Sequence, residues 1–95
     1  PHMSEPLQKI RVLSDQRAGH ENQSVGLAEA LRRRTGAEVE VIRLDGKDSL
    51  PGRLRKAADT QEPASRPNLL IACGHRTHLP LWWAGRSLGC RTVLV

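Results

Sequence analysis

One unbroken apolar run in the last third of the chain constrains the fold more than any other feature. The run Leu69–Cys73 follows Asn68 and is stopped by Gly74. Because it does not alternate between apolar and polar residues, it is typical of a strand covered on both faces. Strands of this kind belong to parallel sheets with helices on each side, and we therefore predict an α/β fold.

The remaining signals alternate between strands and helices. Predicted strands cover Ile10–Ser14, Glu38–Leu44 and Thr92–Val95, and predicted helices cover Ser24–Thr35, Pro51–Asp59 and Leu79–Leu88. The period of two at Glu38–Val41 predicts an outer strand with one face partly exposed. Right-handed crossovers between parallel strands then predict a Rossmann-like open sheet of about four strands, with helices on both faces.

The ends of two predicted helices carry clear stop signals. Gly36 follows the first helix and Gly89 follows the third, as expected for left-handed C-terminal caps. Arg32, Arg33 and Arg34 occupy the last turn of the first helix. They are explained by the negative end of the helix dipole, and we prefer this interpretation to a phosphate or membrane patch.

Size and composition limit the chain to one soluble domain. It has 95 residues, with 38% apolar residues and no apolar window long enough to cross a membrane. No secretory signal is visible, so we expect a cytoplasmic protein, with the inner membrane surface as the alternative location. Cys73 and Cys90 are expected to be free thiols.

Charge is distributed unevenly. Residues 1–62 carry 11 basic and 10 acidic side chains, whereas residues 63–95 carry four arginines and no acid. The last third therefore has a positive field. Nucleic acid is not expected as a partner, because Phe and Tyr are absent and the two tryptophans are adjacent rather than interleaved with basic residues.

Two loops at the carboxyl ends of predicted strands are candidates for ligand binding. The first, Ser14–Ser24, joins the first strand to the first helix and contains Gly19 and the imidazole of His20. A helix N-terminus at this loop would favour an anion, and His20 is suited to act as a base or to contact a phosphate. The alternative is that Asp15, Asn22 and Ser24 only cap the helix or form turns.

The second loop, residues 74–78, follows the buried strand. Arg76, Thr77 and the local amides are suited to an anion, while the alternative is a solvated loop in which Thr77 caps the third helix. Cys73, His75 and His78 resemble metal ligands, but three clustered candidates that include a buried cysteine are a weak zinc signal. We predict no metal.

Trp82 and Trp83 are roughly 100° apart on a helix, so at most one can pack fully into the sheet. The other is expected at an interface with a second domain, a second copy of the chain or a membrane surface. The plainer alternative is a pair of partly buried core aromatics.

Two motifs stand at the two candidate loops. The first is Ser14-Asp15-x-x-x-Gly19-His20-x-Asn22-Gln23-Ser24, and the second is Pro67-Asn68-Leu69-Leu70-Ile71-x-x-Gly74-x-Arg76-Thr77. Together they resemble the ELM-like family, which is named after plant mitochondrial-fission proteins. The family commonly has Gly where Gln16 stands and Arg where His75 stands. The resemblance implies a two-domain protein similar in fold to GT-B glycosyltransferases.

The same resemblance implies which residues line a cleft. His20 would be the catalytic base, and the ligand-binding residues would be Ser14, Asp15, Gly19, Asn22, Gln23, Gly74, Arg76 and Thr77. The implied partners are a nucleotide-sugar donor, held mainly by a second domain, and a sugar or lipid-linked acceptor. No cofactor is predicted. The alternative is a non-catalytic binding or scaffold protein, at a membrane surface in one version.

The domain boundaries follow from these readings. Residues 1–3 are interpreted as a cloning remnant and residues 4–95 as a single Rossmann-like domain. Because the chain stops on the apolar strand that ends at Val95, we expect it to be the amino-terminal part of a longer protein. As an acceptor-side domain it would be inactive alone.

Overall fold

The computed structural model describes residues 8–44, 49–58, 66–74 and 77–95. In these ranges strands and helices alternate as predicted. The elements are β1 (Lys9–Ser14), α1 (Ala18–Thr35), β2 (Glu38–Arg43), α2 (Leu50–Ala58), β3 (Leu69–Ala72), α3 (His78–Leu88) and β4 (Arg91–Leu94).

The four strands form one parallel sheet in the order β2-β1-β3-β4. Val12 in the centre of β1 lies opposite Val41 on one side and Ile71 on the other. The predicted Rossmann-like α/β fold with an open parallel sheet is therefore confirmed. The outer position predicted for β2 is also confirmed.

Helices cover both faces of the sheet because residues of the central strands alternate between two cores. Ile10 and Val12 of β1 pack with Ala28 of α1 on one face. Leu13 packs on the other face with Ala57 of α2 and Ala84 of α3. All four residues of β3 are buried, as the unbroken apolar run predicts.

Arg11 is a charged residue buried on the face of the sheet that packs against α2 and α3. Its side chain is only 4% exposed, and its guanidinium donates to the carboxylate of Glu40 on β2 and to the carbonyl of Ala57 at 2.8 Å. Ala57 lies near the end of α2, where carbonyl groups lack partners within the helix. Arg11 thus joins β1, β2 and α2 through a buried charge.

The two predicted glycine caps are confirmed. Gly36 (φ 75°) and Gly89 (φ 64°) are left-handed, and their N–H groups donate to Arg32 and Gly85, respectively. Arg32, Arg33 and Arg34 lie in the last turn of α1. These ends could be predicted because glycine adopts the left-handed conformation at little cost.

The predicted start of α1 is wrong. The helix begins at Ala18 rather than Ser24, so the six residues 18–23, assigned to the preceding loop, belong to the helix. This stretch is polar, and Ser24 is buried against the sheet at a position where the helical pattern would require an apolar residue. These first turns of α1 have no apolar stripe. Instead, His20 contacts Asp15 after β1, and Gln23 contacts Cys73 after β3.

The cysteines and tryptophans occupy different environments. Cys73 and Cys90 are both free thiols, as predicted. Trp82 and Trp83 are 55% and 45% exposed, so neither packs into the sheet. No helix in the described ranges has the length and apolarity needed to span a bilayer.

Candidate functional site

The sheet order brings the two predicted loops together. From β1 the chain crosses to β2 on one side, while β3 and β4 lie on the other side. Crevices that bind ligands in open α/β sheets lie at such a reversal, outside the carboxyl ends of the strands. Asp15 directly follows β1, and Gly74 follows β3 by two residues, so both stand at this position.

A hydrogen-bonded pair occupies the reversal point. Nδ1 of His20 lies 2.8 Å from Oδ2 of Asp15. The Asp15 side chain is only 3% exposed, whereas that of His20 is 37% exposed. The pair therefore has a buried acidic end and an imidazole that reaches solvent. Because His20 lies in the first turn of α1, the early start of this helix positions the ring.

The carboxyl group of Asp15 is held in its ionised form. Burial opposes ionisation, but the hydrogen bonds with His20 and with the backbone N–H of Arg17, together with the electrostatic attraction of these two residues, outweigh it. The pKa of Asp15 is consequently below its ordinary value of 3.8.

The ionised carboxylate decides which nitrogen of His20 can react. A carboxylate only accepts hydrogen bonds, so Nδ1 of His20 donates to Asp15. In the neutral ring Nε2 then carries the lone pair and is the atom able to take a proton. An imidazole oriented in this way by a buried carboxylate is the arrangement expected of a general base.

The backbone of Gly74 lies directly against the Asp15–His20 pair. Its φ of 103° lies in the region that favours glycine, and a Cβ built on it would stand 2.5 Å from Oδ2 of Asp15 and 2.6 Å from Nδ1 of His20. Any side chain at this position would therefore displace the pair. The backbone after β3 and the Asp15–His20 pair form one site.

The other predicted site residues have different environments. The side-chain oxygen of Gln23 accepts a hydrogen bond from the Cys73 thiol at 3.3 Å, which links α1 to the end of β3. Gly19 and Asn22 are exposed on the first turns of α1. Arg76 and His75 lie outside the described residues.

Thr77 is hydrogen-bonded to Gly74, and its side chain does not make the helix cap that is the alternative for this loop. It is fully buried, its hydroxyl donates to the Gly74 carbonyl at 2.7 Å, and its side chain makes no capping bond to α3. The backbone N–H of Thr77 donates to the same carbonyl at 3.1 Å. Thr77 therefore links Gly74 to the start of α3.

The comparison with protein families identifies the chain's relatives. The family model described as Mitochondrial fission ELM1 matches residues 18–95. The chain belongs to this family. No curated protein and no solved structure showed significant similarity to it.

The ELM1 match includes His20, Gln23 and Gly74, while Asp15 lies three residues before its start. Gln16, which precedes the matched residues, adopts a left-handed φ of 67°. Its N–H donates to the hydroxyl of Ser14 at 2.9 Å, so Ser14 closes the turn that leads to Asp15. A non-glycine residue in this conformation costs about 1 kcal/mol, which explains why glycine suits the position.

Two contacts of this candidate site cannot be predicted from the sequence alone. Cys73 was interpreted only as a buried apolar residue or a weak metal ligand, and its contact with Gln23 was not foreseen. The Asp15–His20 contact also needs the structure, because the sequence places Asp15 near His20 but cannot fix its position. Within the described ranges, no group of three or more His, Cys, Asp or Glu is arranged to hold a metal ion.

Proposed function

We propose that this chain forms the acceptor side of a GT-B-like glycosyl-transfer site in which His20 acts as general base. The observation that carries the proposal is the Asp15–His20 hydrogen bond at the reversal point of the sheet. It supplies an oriented imidazole where an open α/β sheet binds its ligands. The GT-B assignment itself comes from the family resemblance, and the base is argued from the geometry.

The proposed reaction moves one proton to this chain. An acceptor hydroxyl hydrogen-bonded to Nε2 of His20 attacks the anomeric carbon of a nucleotide sugar. The new bond forms between that oxygen and carbon, and the bond from carbon to the diphosphate oxygen breaks with its electron pair. The hydroxyl proton passes to Nε2, and ionised Asp15 stabilises the resulting imidazolium.

The remaining predicted residues take supporting roles in the proposal. Gln23 fixes α1 against the end of β3 through its hydrogen bond with Cys73. Gly74 leaves the space that the Asp15–His20 pair occupies. Gly19 and Asn22, exposed near His20, are proposed to contact the acceptor. Arg76 is proposed to contact an anionic group, while Ser14 and Thr77 brace the two turns. A second domain is proposed to bring most of the nucleotide-sugar site.

The test uses the full-length protein with a panel of nucleotide sugars. His20→Ala is expected to lower kcat by about 10²- to 10⁴-fold, the usual contribution of a general base. Arg34→Ala, which removes an exposed side chain in the last turn of α1, is the control and is expected to keep kcat. Wild-type turnover that survives His20→Ala would overturn the role of His20.

A binding experiment on the 95-residue chain tests the site without turnover. Amide NMR shifts are followed during titration with phosphate, uridine diphosphate and nucleotide sugars. Saturable shifts confined to residues 14–24 and 74–78 are expected if these loops form a ligand cleft. Shifts spread over the surface, or none with any of these ligands, would contradict a nucleotide contact on this side.

A non-catalytic binding role is the second candidate. It is favoured by the family description, which names mitochondrial fission rather than a reaction, and by the exposure of Trp82 and Trp83. It predicts a stable partner and no turnover of nucleotide sugars by the full-length protein. Detection of His20-dependent turnover would exclude it.

A further inference from the structure

The outward face of α3 is apolar, which is unusual for a helix that already buries its other face. Pro80, Leu81, Ala84, Gly85 and Leu88 are buried toward the sheet. The outward positions 79, 82, 83 and 86 follow one another at helical spacing and form a continuous stripe of Leu79, Trp82, Trp83 and Arg86, which we call the α3 stripe. A helix that is apolar on both faces normally has a partner on each.

The α3 stripe continues into an open groove toward the edge of the sheet. The groove has a volume of about 430 Å³ and is lined by residues of α3 and β4, among them Leu79, Trp82 and Leu94. Leu79 and Leu94 are 44% and 47% exposed. The apolar surface therefore spans two elements and exceeds a single exposed side chain.

The charged residue of the α3 stripe is positive, and neither α3 nor β4 contains an acidic residue. The guanidinium of Arg86 lies over the Trp82 ring, 5.3 Å from its centre. Residues 63–95 contain no aspartate or glutamate. The like charge of a second copy would oppose pairing through this face, whereas an anionic surface would be attracted to it.

We propose that the α3 stripe docks onto the surface of a bilayer that contains anionic phospholipids. Tryptophan is favoured at the headgroup level because its ring is apolar and its N–H is polar. Arginine adds attraction to lipid phosphates. The two residue types stand together on the stripe, so the charge and the apolar area act on the same bilayer. This contact is peripheral and independent of the chemistry proposed for His20.

The chain contains its own reporter for this proposal. Trp82 and Trp83 are its two tryptophans, and it has no tyrosine, so its intrinsic fluorescence comes from the α3 stripe. The 95-residue chain is titrated with mixed phosphatidylglycerol–phosphatidylcholine vesicles and with vesicles of phosphatidylcholine alone. Docking predicts a blue shift and co-sedimentation with the anionic vesicles, both reduced by added salt.

Matched variants separate docking from general attraction. Arg86→Gln is expected to weaken vesicle binding about fivefold, the effect of one basic residue near an anionic membrane. Trp82→Ser is expected to weaken vesicle binding about tenfold, because the variant has no apolar ring at this position to transfer from water into the bilayer. Trp83 remains as the fluorescent reporter. Arg33→Gln removes an exposed charge from α1 on the opposite face of the sheet and is expected to change binding less than about twofold.

Three results would overturn the proposal. The first is equal binding by Arg33→Gln and Arg86→Gln, which would show attraction without a defined face. The second is a blue shift that depends on protein concentration without lipid, which would assign the stripe to a second copy of the chain. The third is the absence of any shift or co-sedimentation with anionic vesicles. Far-UV circular dichroism checks that each variant remains folded.

Discussion

Two charged pairs lie along the same strand, and they use burial differently. Arg11 stands in the middle of β1 and directs its guanidinium to Glu40 and to the Ala57 carbonyl. Asp15 stands just beyond the end of β1 and directs its carboxylate to His20 and the Arg17 N–H. Both pairs join separate elements through a buried charge.

The two pairs differ at the residue that is partly exposed to solvent, which is Glu40 in one pair and His20 in the other. Glu40, the partner of Arg11, also has Lys9 at 3.4 Å, so the charges of this cluster are satisfied within the protein. His20, the partner of Asp15, is 37% exposed and has a second ring nitrogen that Asp15 does not occupy. A pair inside the sheet thus stabilises the fold, while a pair beyond the strand end leaves an atom for chemistry.

The largest expected effect concerns the pair inside the sheet. Glu40→Gln leaves the Arg11 guanidinium buried without its carboxylate and is expected to lower the free energy of unfolding by about 3 kcal/mol. Urea unfolding measures this loss. The control is Glu29→Gln, which breaks an exposed pair with Arg32 and is expected to cost less than about 1 kcal/mol. Equal losses in the two variants would contradict the structural role of Arg11.

An intermediate effect is expected at Gly74, which lies directly against the Asp15–His20 pair. Gly74→Ala places a methyl group within 2.6 Å of both Asp15 and His20 in a left-handed conformation, and it is expected to cost about 2 kcal/mol. The control is Gly89→Ala, which has the same backbone requirement but no atom within 4 Å of its Cβ, so only about 1 kcal/mol is expected.

The excess loss at Gly74 over Gly89 measures the close approach of the pair. Nitrogen-15 NMR of the His20 ring supplies a second readout, because the protonated nitrogen changes when the Asp15 contact is broken. If Gly74→Ala leaves this signature unchanged, the pair does not rest on Gly74.

The smallest effect is a pH dependence. Because the pKa of Asp15 is lower in the folded chain than in the unfolded one, the ionised carboxylate stabilises the fold. This contribution is fully present above the unfolded value of 3.8 and is lost as the pH falls through the lower folded value. Asp15→Asn should therefore reduce stability at neutral pH more than in acid, as urea midpoints measured across this range would show. A loss that does not change with pH would contradict the ionised pair.

The sequence by itself determined the fold class and several element boundaries. The unbroken apolar run at β3 predicted a buried parallel strand, and the glycines at 36 and 89 predicted two helix ends. These signals are local, because burial on both faces excludes polar residues and a left-handed cap favours glycine. The Rossmann-like sheet followed from the alternation of such local elements.

Only the tertiary structure decided how the site is assembled. The first turns of α1 have no apolar stripe, so their helical form could not be read from periodicity. The contact between Asp15 and His20 depends on where β1 ends and where α1 begins, and the place of Gly74 beneath them depends on β3 lying beside β1. The second relation joins residues far apart in the chain, and the first depends on element boundaries that packing sets, so no local pattern of residues encodes either.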